Sequence, residues 1–266
     1  MKYLYCWLTG VLLASALTPA AAANDVNISF NQHPLQTYTG ALLRHDWANL
    51  VWDGTRHRAH IATDGKDNSA RFLRVTYPAN TVGPEHNGGQ FLVNLPPANE
   101  YYLRYRVRFQ PGFDFAKGGK LPGLTSGGGK YSNAHKPLDG DGWTARLMWV
   151  EQGRLVPYLY YVGMPANRKF GDFWPIDAQV TPGKWQTITQ RIRLNSPGKR
   201  DGIYSVWLDG KQVTHRQDME WRHGDKGKID SFYFSTYYGG NTPDWAPRWN
   251  NYIDFDDIRL SHAPLD

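Results

Sequence analysis

The sequence predicts an all-β protein, a β-jelly roll sandwich of two antiparallel sheets in a single domain. Short segments in which apolar and polar residues alternate recur along the chain, separated by clusters of Gly, Pro, Asn and Asp. No long segment has the 3.6-residue period of an amphipathic helix, and no repeat or low-complexity linker divides the chain. With 11 Trp, 16 Tyr and 11 Phe, the chain has enough aromatic side chains for both a core and a groove.

The alternating segments predict ten strands. They are residues 72–77, 90–95, 101–109, 143–150, 156–162, 185–194, 203–208, 211–214, 229–237 and 252–261. The Asp209-Gly210 pair between two of them is a strong hairpin signal, because the favoured two-residue turn needs positive φ at both positions. Many short strands joined by turns are typical of a sandwich.

The first 23 residues have the organisation of a secretory signal peptide. Lys2 precedes an apolar run at residues 8–17, and small residues follow up to Ala23, where we place the cleavage. The run is too short for a membrane anchor. Cys6, the single cysteine, lies in this segment, so the mature domain, residues 24–266, is expected to fold without disulfides. We expect an exported monomer, periplasmic or secreted, that is not attached to a membrane after cleavage.

The chain is basic, with a formal net charge of +6. An exported protein meets few nucleic acids, so the polyanion expected as its partner is an acidic polysaccharide and not a nucleic acid. The alternative is that a charge of this size only favours solubility.

Rows of arginine alternate with apolar residues in two of the predicted strands. Arg104, Arg106 and Arg108 share one face of residues 101–109, and residues 185–194 show a similar pattern. Such a row either faces solvent opposite the core or lines a groove that binds a polyanion. Both interpretations stay open, because the sequence does not specify which sheet is concave.

A predicted hairpin with its turn at residues 151–153 brings polar side chains together. A three-residue loop that ends in Gly places Arg146 opposite Tyr158 and Thr144 opposite Tyr160. Directly opposed residues have Cβ atoms about 5 Å apart, so these four side chains form one cluster. The other face of the hairpin is apolar, and a slip by one residue would bury the arginine, so the register is well specified.

An arginine beside two tyrosines suits β-elimination on a uronic acid. The arginine pairs with the carboxylate and so makes the C5 proton more acidic. A tyrosine whose pKa a nearby cation lowers can act as a base, and its protonated form can donate a proton to the departing O4. Neither a metal nor an organic cofactor is expected for this chemistry. A purely structural Arg–Tyr cluster is the alternative.

Several ordered blocks of the sequence resemble the polysaccharide lyase family 14 alginate lyases and the related family 20 glucuronan lyases. The blocks are GGKLPGL at 118–124, GWTARLMW at 142–149 and PYLYY at 157–161, and residues 73–91 and 234–247 extend the match. The resemblance implies a jelly roll whose active site lies on the concave face. It also implies a catalytic set of a lysine, a serine, an arginine and two tyrosines.

Carried over residue by residue, the resemblance implies a catalytic set in which Thr replaces the family's Ser. The set is Lys120, Thr144, Arg146, Tyr158 and Tyr160. Arg146 and Lys120 are expected to neutralise the substrate carboxylate. One of the two tyrosines is expected to take the C5 proton, and Lys120 is the rival base.

Three further residues are expected to bind the substrate. Gln90 is expected to donate a hydrogen bond, as is Thr144, and Tyr237 to line the groove. Lys117 is expected to contact the substrate and is a rival for the lysine role.

The resulting expectation is a polyuronate lyase that acts on alginate, with mannuronate-rich blocks first and glucuronan as the alternative substrate. A non-catalytic module that binds acidic polysaccharides is a rival from another class. A glycoside hydrolase is disfavoured, because the chain has four Glu, no paired carboxylate motif, and a run at Asp254, Asp256 and Asp257 that looks structural. The Asp-Gly turn at 139–142 lacks a full set of Ca²⁺ ligands.

Overall fold

The computed structural model describes residues 25–65 and 70–265, which form two antiparallel sheets packed face to face as a jelly-roll sandwich. The signal peptide predicted for residues 1–23 lies outside the described residues. In the part of the chain that is described, no helix is long and apolar enough to cross a membrane.

Strands dominate the structure. In chain order they are β1 (Val26–Ile28), β2 (Leu50–Asp53), β3 (Ala59–Thr63), β4 (Arg71–Tyr77), β5 (Gly89–Ala98), β6 (Glu100–Phe109), β7 (Gly119–Ser126), β8 (Trp143–Trp149), β9 (Leu155–Tyr160), β10 (Gln186–Arg193), β11 (Gly202–Leu208), β12 (Lys211–Met219), β13 (Ile229–Thr236) and β14 (Asn251–Ser261). Two short helices, α1 (Gly40–Asp46) and α2 (Gly83–His86), and 3₁₀ turns at Glu151–Gly153 and Pro243–Trp245 connect them.

The strands form an eight-stranded and a six-stranded sheet. The eight-stranded sheet has the order β12-β11-β10-β6-β14-β4-β3, with β1 also paired to β14. The six-stranded sheet has the order β2-β5-β13-β7-β8-β9. The prediction of two antiparallel sheets in one domain is therefore confirmed.

The core lies between the two sheets and is largely aromatic. Phe234 of the six-stranded sheet packs against Phe255 of the other sheet at 5.0 Å between ring centroids, and Trp149 packs against Phe109 at 5.7 Å. All four side chains are buried. Each large apolar side chain that leaves water contributes about 1.5–3 kcal/mol, so this interface holds the fold without disulfides.

All ten predicted strands are present, and the structure adds four that were not predicted: β1, β2, β3 and β7. Strand β7 was missed because Pro122 and Gly123 lower the strand signal. The pairing of β7 with β8 shifts register between Leu121 and Leu124, which accommodates both residues. A Cβ on Gly123 would lie 1.9 Å from the Ala145 carbonyl oxygen, so only glycine fits there.

The Asp209-Gly210 hairpin forms as predicted, with φ of 51° and 80° at the two residues. The structure also places the arginine row relative to the core. Leu103, Tyr105, Val107 and Phe109 of β6 are buried in the core, so the arginines between them project from the outer face of the eight-stranded sheet. We call this outer face the arginine face.

Candidate active site

Strands β8 and β9 pair in the predicted register. Arg146 lies opposite Tyr158, and Thr144 lies opposite Tyr160. Gly153 in the connecting turn has a φ of 77°, which glycine adopts without steric cost. Neighbouring residues of both strands are buried in the core, so the four side chains project from the outer face of the six-stranded sheet. They lie on the side of the sandwich opposite the arginine face.

Lys120 of β7 joins these residues from the neighbouring strand, where it pairs with Met148. Its Nζ lies 3.7 Å from the ring centroid of Tyr158 and 2.9 Å from the Met148 sulfur, a weak acceptor. The side chain is only 7% exposed. Burial, and then the charge of Arg146, hold the pKa of Lys120 well below its usual value. The amine therefore loses its proton far more readily than that of an ordinary lysine.

Arg146 is only 1% exposed. Its Nη1 donates to the Ser235 hydroxyl at 3.1 Å, and its Nε has no hydrogen-bond partner among the described residues. Its guanidinium carbon lies 5.6 Å from the ring centroid of Tyr158 and 5.2 Å from that of Tyr233. In the described part of the chain no carboxylate pairs with Arg146. A buried guanidinium without a counter-ion is costly, and a substrate carboxylate would supply one.

Tyr158 and Tyr160 hold their hydroxyl oxygens 3.2 Å apart. Burial, and then the proximity of Tyr160, raise the pKa of Tyr158 above its ordinary value, and together they outweigh the opposing effect of Arg146. Tyr158 therefore keeps its proton and is suited to donate one. The backbone amide of Ala134 donates to the Tyr160 hydroxyl at 3.2 Å. We call Lys120, Arg146, Tyr158 and Tyr160 the site cluster.

Thr144 and Gln90 already have hydrogen-bond partners within the protein. The buried Thr144 hydroxyl donates to the Tyr131 carbonyl at 2.5 Å, which ties the loop at residues 127–142 to the sheet. The Gln90 amide nitrogen donates to the Tyr233 hydroxyl at 2.8 Å and the Ser235 hydroxyl at 2.9 Å. Through Ser235, Gln90 helps to orient Arg146.

The remaining two predicted substrate-binding residues lie in different surroundings. Tyr237 follows β13 and interacts with the guanidinium of Arg146. Lys117 is half exposed and pairs with Asp244 in the loop after β13. Among the described residues no contact joins Lys117 to the site cluster, which leaves Lys120 as the lysine beside Arg146.

Sequence reasoning missed Met148 and Gly171 at the site. Met148 belongs to the same alternation as Thr144 and Arg146, which is the signal that could have revealed it. Gly171 packs against Tyr158 from the segment that follows β9, and a Cβ there would lie 2.7 Å from the tyrosine ring. No local pattern indicates such a contact.

The arrangement offers a cation for a carboxylate, an amine that is readily neutral, and two hydroxyl donors within one buried cluster. These are the groups that proton abstraction beside a carboxylate requires. Among the residues described, no three His, Cys, Asp or Glu side chains meet as metal ligands.

The comparisons with known proteins identify the family. The family model named polysaccharide lyase 14 matches residues 65–258. This match covers most of the chain and both strands of the hairpin, and the chain therefore belongs to the polysaccharide lyase 14 family.

Solved structures of alginate lyases share the fold. The alginate lyase Aly36B is 26% identical and aligns over 92% of this chain and 100% of its own, with a TM-score of 0.77. A family 14 alginate lyase from Aplysia kurodai is 22% identical over the same shares of the two chains, with a TM-score of 0.76. The second likeness concerns the fold alone.

A curated relative, named Exolysin, comes from Paramecium bursaria Chlorella virus 1. It is 23% identical over 230 residues, which are 76% of this chain and 35% of the relative. The present chain thus matches about a third of that protein's length.

Proposed function

We propose that this polysaccharide lyase cleaves alginate by β-elimination, with mannuronate-rich blocks as the preferred substrate. The observation that carries the proposal is that two buried basic side chains, Arg146 and Lys120, lie close together. Arg146 has no carboxylate partner in the described chain, and the pKa of Lys120 beside it lies well below the usual lysine value. A cation that needs an anion and an amine that is readily neutral are what a uronate substrate requires.

In the proposed reaction, the Arg146 guanidinium binds the carboxylate of the uronate whose C4–O4 bond breaks. Neutralisation of the carboxylate makes the C5 proton more acidic. The neutral Lys120 amine takes that proton, the C4–O4 bond breaks, and the electron pair of the C5–H bond forms the C4=C5 double bond. The departing O4 receives a proton from the Tyr158 or Tyr160 hydroxyl.

The sequence left three candidate bases open: Tyr158, Tyr160 and Lys120. A tyrosine base needs a lowered pKa, whereas burial and Tyr160 raise the pKa of Tyr158. The pKa of Lys120 moves in the direction that a base requires. Lysine as the base and tyrosine as the acid is therefore the assignment that the electrostatics favour.

The similarity to Aly36B supports a substrate site that includes Lys120. That protein has been solved with alginate tetrasaccharide after a lysine and a tyrosine were changed to alanine, and with alginate trisaccharide after the same lysine and a methionine were changed. The lysine and the methionine are 28 positions apart there. Lys120 and Met148 have the same separation in this chain.

The test is to incubate the mature protein, residues 24–266, with polymannuronate, polyguluronate and glucuronan separately. Ultraviolet absorbance of the unsaturated uronate is followed with time. We expect the fastest rise on polymannuronate. A rise on glucuronan alone would replace alginate as the substrate. Binding without any rise in absorbance would indicate a non-catalytic module and overturn the proposed reaction.

We further propose that the chain is exported after cleavage near Ala23 and acts as a monomer. The charged start, apolar run and small residues of the first 23 positions support export. Amino-terminal sequencing of the protein from periplasmic and culture fractions tests the cleavage site and the compartment. A full-length chain retained in the membrane fraction would contradict export.

A further inference from the structure

A cavity lies on the arginine face. Its volume is about 640 Å³, and its walls include Tyr102, Arg104, Thr187, Thr189 and Trp207. The turn at residues 209–210 and residues 264–265 also line it. Because the site cluster projects from the other sheet, the two sites lie on opposite sides of the sandwich.

Arg104 in the cavity wall and Arg259, its neighbour on β14, differ from the other arginines of this face in lacking counter-ions among the described residues. Other arginines of the arginine face pair with acidic side chains: Arg74 and Arg108 with Asp254, Arg106 with Asp257, and Arg191 with Glu100. In the described chain, neither Arg104 nor the exposed Arg259 has a hydrogen-bond or ion-pair partner.

Strand pairing places these two free arginines side by side. Arg104 of β6 is the register partner of Arg259 of β14. Directly opposed residues have Cβ atoms about 5 Å apart, and like charges in this arrangement repel. A bound anion would relieve the repulsion and satisfy both guanidinium groups.

An aromatic surface lies at a fixed distance from the arginine pair. Thr189 pairs with Arg104 on one side and with Trp207 on the other. Neighbouring strands are about 4.8 Å apart, so Trp207 lies roughly 10 Å from Arg104 across the sheet, with the threonine between them. The half-buried Trp207 offers an apolar ring, and the Thr189 hydroxyl lies on the same face.

We propose that this cavity is an accessory binding site for a uronate oligosaccharide. Arg104 and Arg259 bind one carboxylate, the face of a neighbouring sugar ring packs on Trp207, and the Thr189 hydroxyl bonds to a sugar hydroxyl. The inference rests on the proposed function, because it takes the polymer that the site cluster cleaves as its ligand. Occupation of this site would keep the enzyme attached to the polymer between cleavage events.

The composition of the cavity favours a sugar acid over inorganic phosphate. The aromatic wall matches the apolar face of a pyranose, which phosphate lacks. At the far end, the Asp209 carboxylate accepts hydrogen bonds from the Thr187 amide at 2.7 Å and the Gln186 amide nitrogen at 3.1 Å. A carboxylate there suits sugar hydroxyls and repels a second anionic group.

The test uses the Lys120→Ala protein, which is expected to bind without cleaving, and a mannuronate tetrasaccharide. The indole N–H resonance of Trp207, assigned with Trp207→Phe, is followed by NMR as the tetrasaccharide is added. We expect a saturable shift of this resonance. The Arg104→Gln/Arg259→Gln change in the same background should weaken that binding about five- to tenfold.

The matched control is Lys184→Gln/Lys199→Gln, which removes two exposed charges outside the cavity. It should leave the Trp207 titration unchanged. No shift of Trp207, or a shift of equal affinity in the arginine variant, would overturn the accessory site. The same arginine changes in the otherwise unaltered enzyme should leave turnover of the tetrasaccharide within about twofold. Absence of turnover in that unaltered enzyme would instead overturn the proposed function.

Discussion

Arg146 and Arg108 each project outward from a strand of the sandwich, on opposite sides of the molecule, and their surroundings differ sharply. Arg108 donates to Asp254 at 2.7 Å and to Asp64 at 2.8 Å, so its charge is neutralised within the protein. Arg146 is more deeply buried and has a hydroxyl and aromatic rings as neighbours, with no carboxylate partner in the described chain. The type of residue and its alternation are the same on both faces. Because only Arg108 has carboxylate partners, we expect Arg108 to stabilise the fold and Arg146 to be available to a substrate.

The largest expected effect is at Lys120, where Lys120→Ala should reduce kcat/KM on polymannuronate by about 10³- to 10⁴-fold by removing the base. Steady-state kinetics measures this loss.

The pH profile of the unaltered enzyme tests whether Lys120 is the base. Because the base must be neutral, kcat/KM should rise with pH through the pKa of Lys120, with a midpoint well below the ordinary lysine value of 10.5. The same low pKa makes the unfolded state bind more protons below pH 10.5, so stability should also rise with pH in that window. A midpoint at or above pH 10 would argue against Lys120 as the base.

Arg146→Gln against Arg108→Gln is the direct comparison of the two faces. Arg146→Gln should reduce kcat/KM by about 10²- to 10³-fold, because the developing charge on the carboxylate loses its cation. Arg108→Gln should leave kcat/KM within about twofold, since its partners lie on the arginine face. Steady-state kinetics with circular dichroism as a folding control measures both variants. Equal losses of activity would contradict the different roles expected for the two arginines.

Tyr158→Phe and Tyr160→Phe test which hydroxyl protonates O4. The change that removes the acid should reduce kcat by about 10²-fold or more, while the other should have a smaller effect through the lost 3.2 Å hydrogen bond between them. Near-normal kcat in both variants would exclude tyrosine as the acid. If kcat falls while KM stays constant, the loss lies in the chemical step.

Asp254→Asn tests the structural role of the arginine face. The change leaves Arg74 and Arg108 without their shared carboxylate, and because both guanidinium groups are partly exposed we expect a loss of about 2 kcal/mol in the free energy of unfolding. The melting temperature should fall by about 5 °C. Thermal denaturation measures the loss, and kcat of the folded protein should not change. A stable variant that has lost activity would assign Asp254 to the reaction instead.

The smallest expected effect comes from Gly171→Ala, compared with Gly198→Ala. Both glycines have positive φ, 53° and 71°, so alanine strains the backbone by about 1 kcal/mol in each. A Cβ at position 171 would also press on the Tyr158 ring, whereas nothing lies within 4 Å at position 198. Only Gly171→Ala should therefore reduce kcat, by about tenfold. Equal kcat in the two variants would show that the loop does not position Tyr158.

Much of the fold was predictable because sheet faces alternate with a period of two. The apolar and polar sides of residues 101–109 and 143–162 fixed which residues face the core, and the hairpin register followed from the length of the turn. Strand β7 was not predictable from the same rule, since Pro122 and Gly123 interrupt the pattern. Their places depend on a bulge and on a close approach to Ala145 that only the assembled sheet creates.

Three features were predictable from the sequence by itself: the sandwich of two sheets, the placement of Arg146 opposite Tyr158, and the resemblance to a lyase family. These properties depend on neighbours within a strand or across one turn, where sequence distance and spatial distance are linked. Three features became evident only from the tertiary structure. Lys120 lies against Tyr158, Arg146 is buried without a carboxylate partner among the described residues, and Arg108 has a carboxylate partner in Asp254. These features depend on desolvation and on partners far away in the chain, such as Ser235 for Arg146 and Asp254 for Arg108, and no local pattern encodes them.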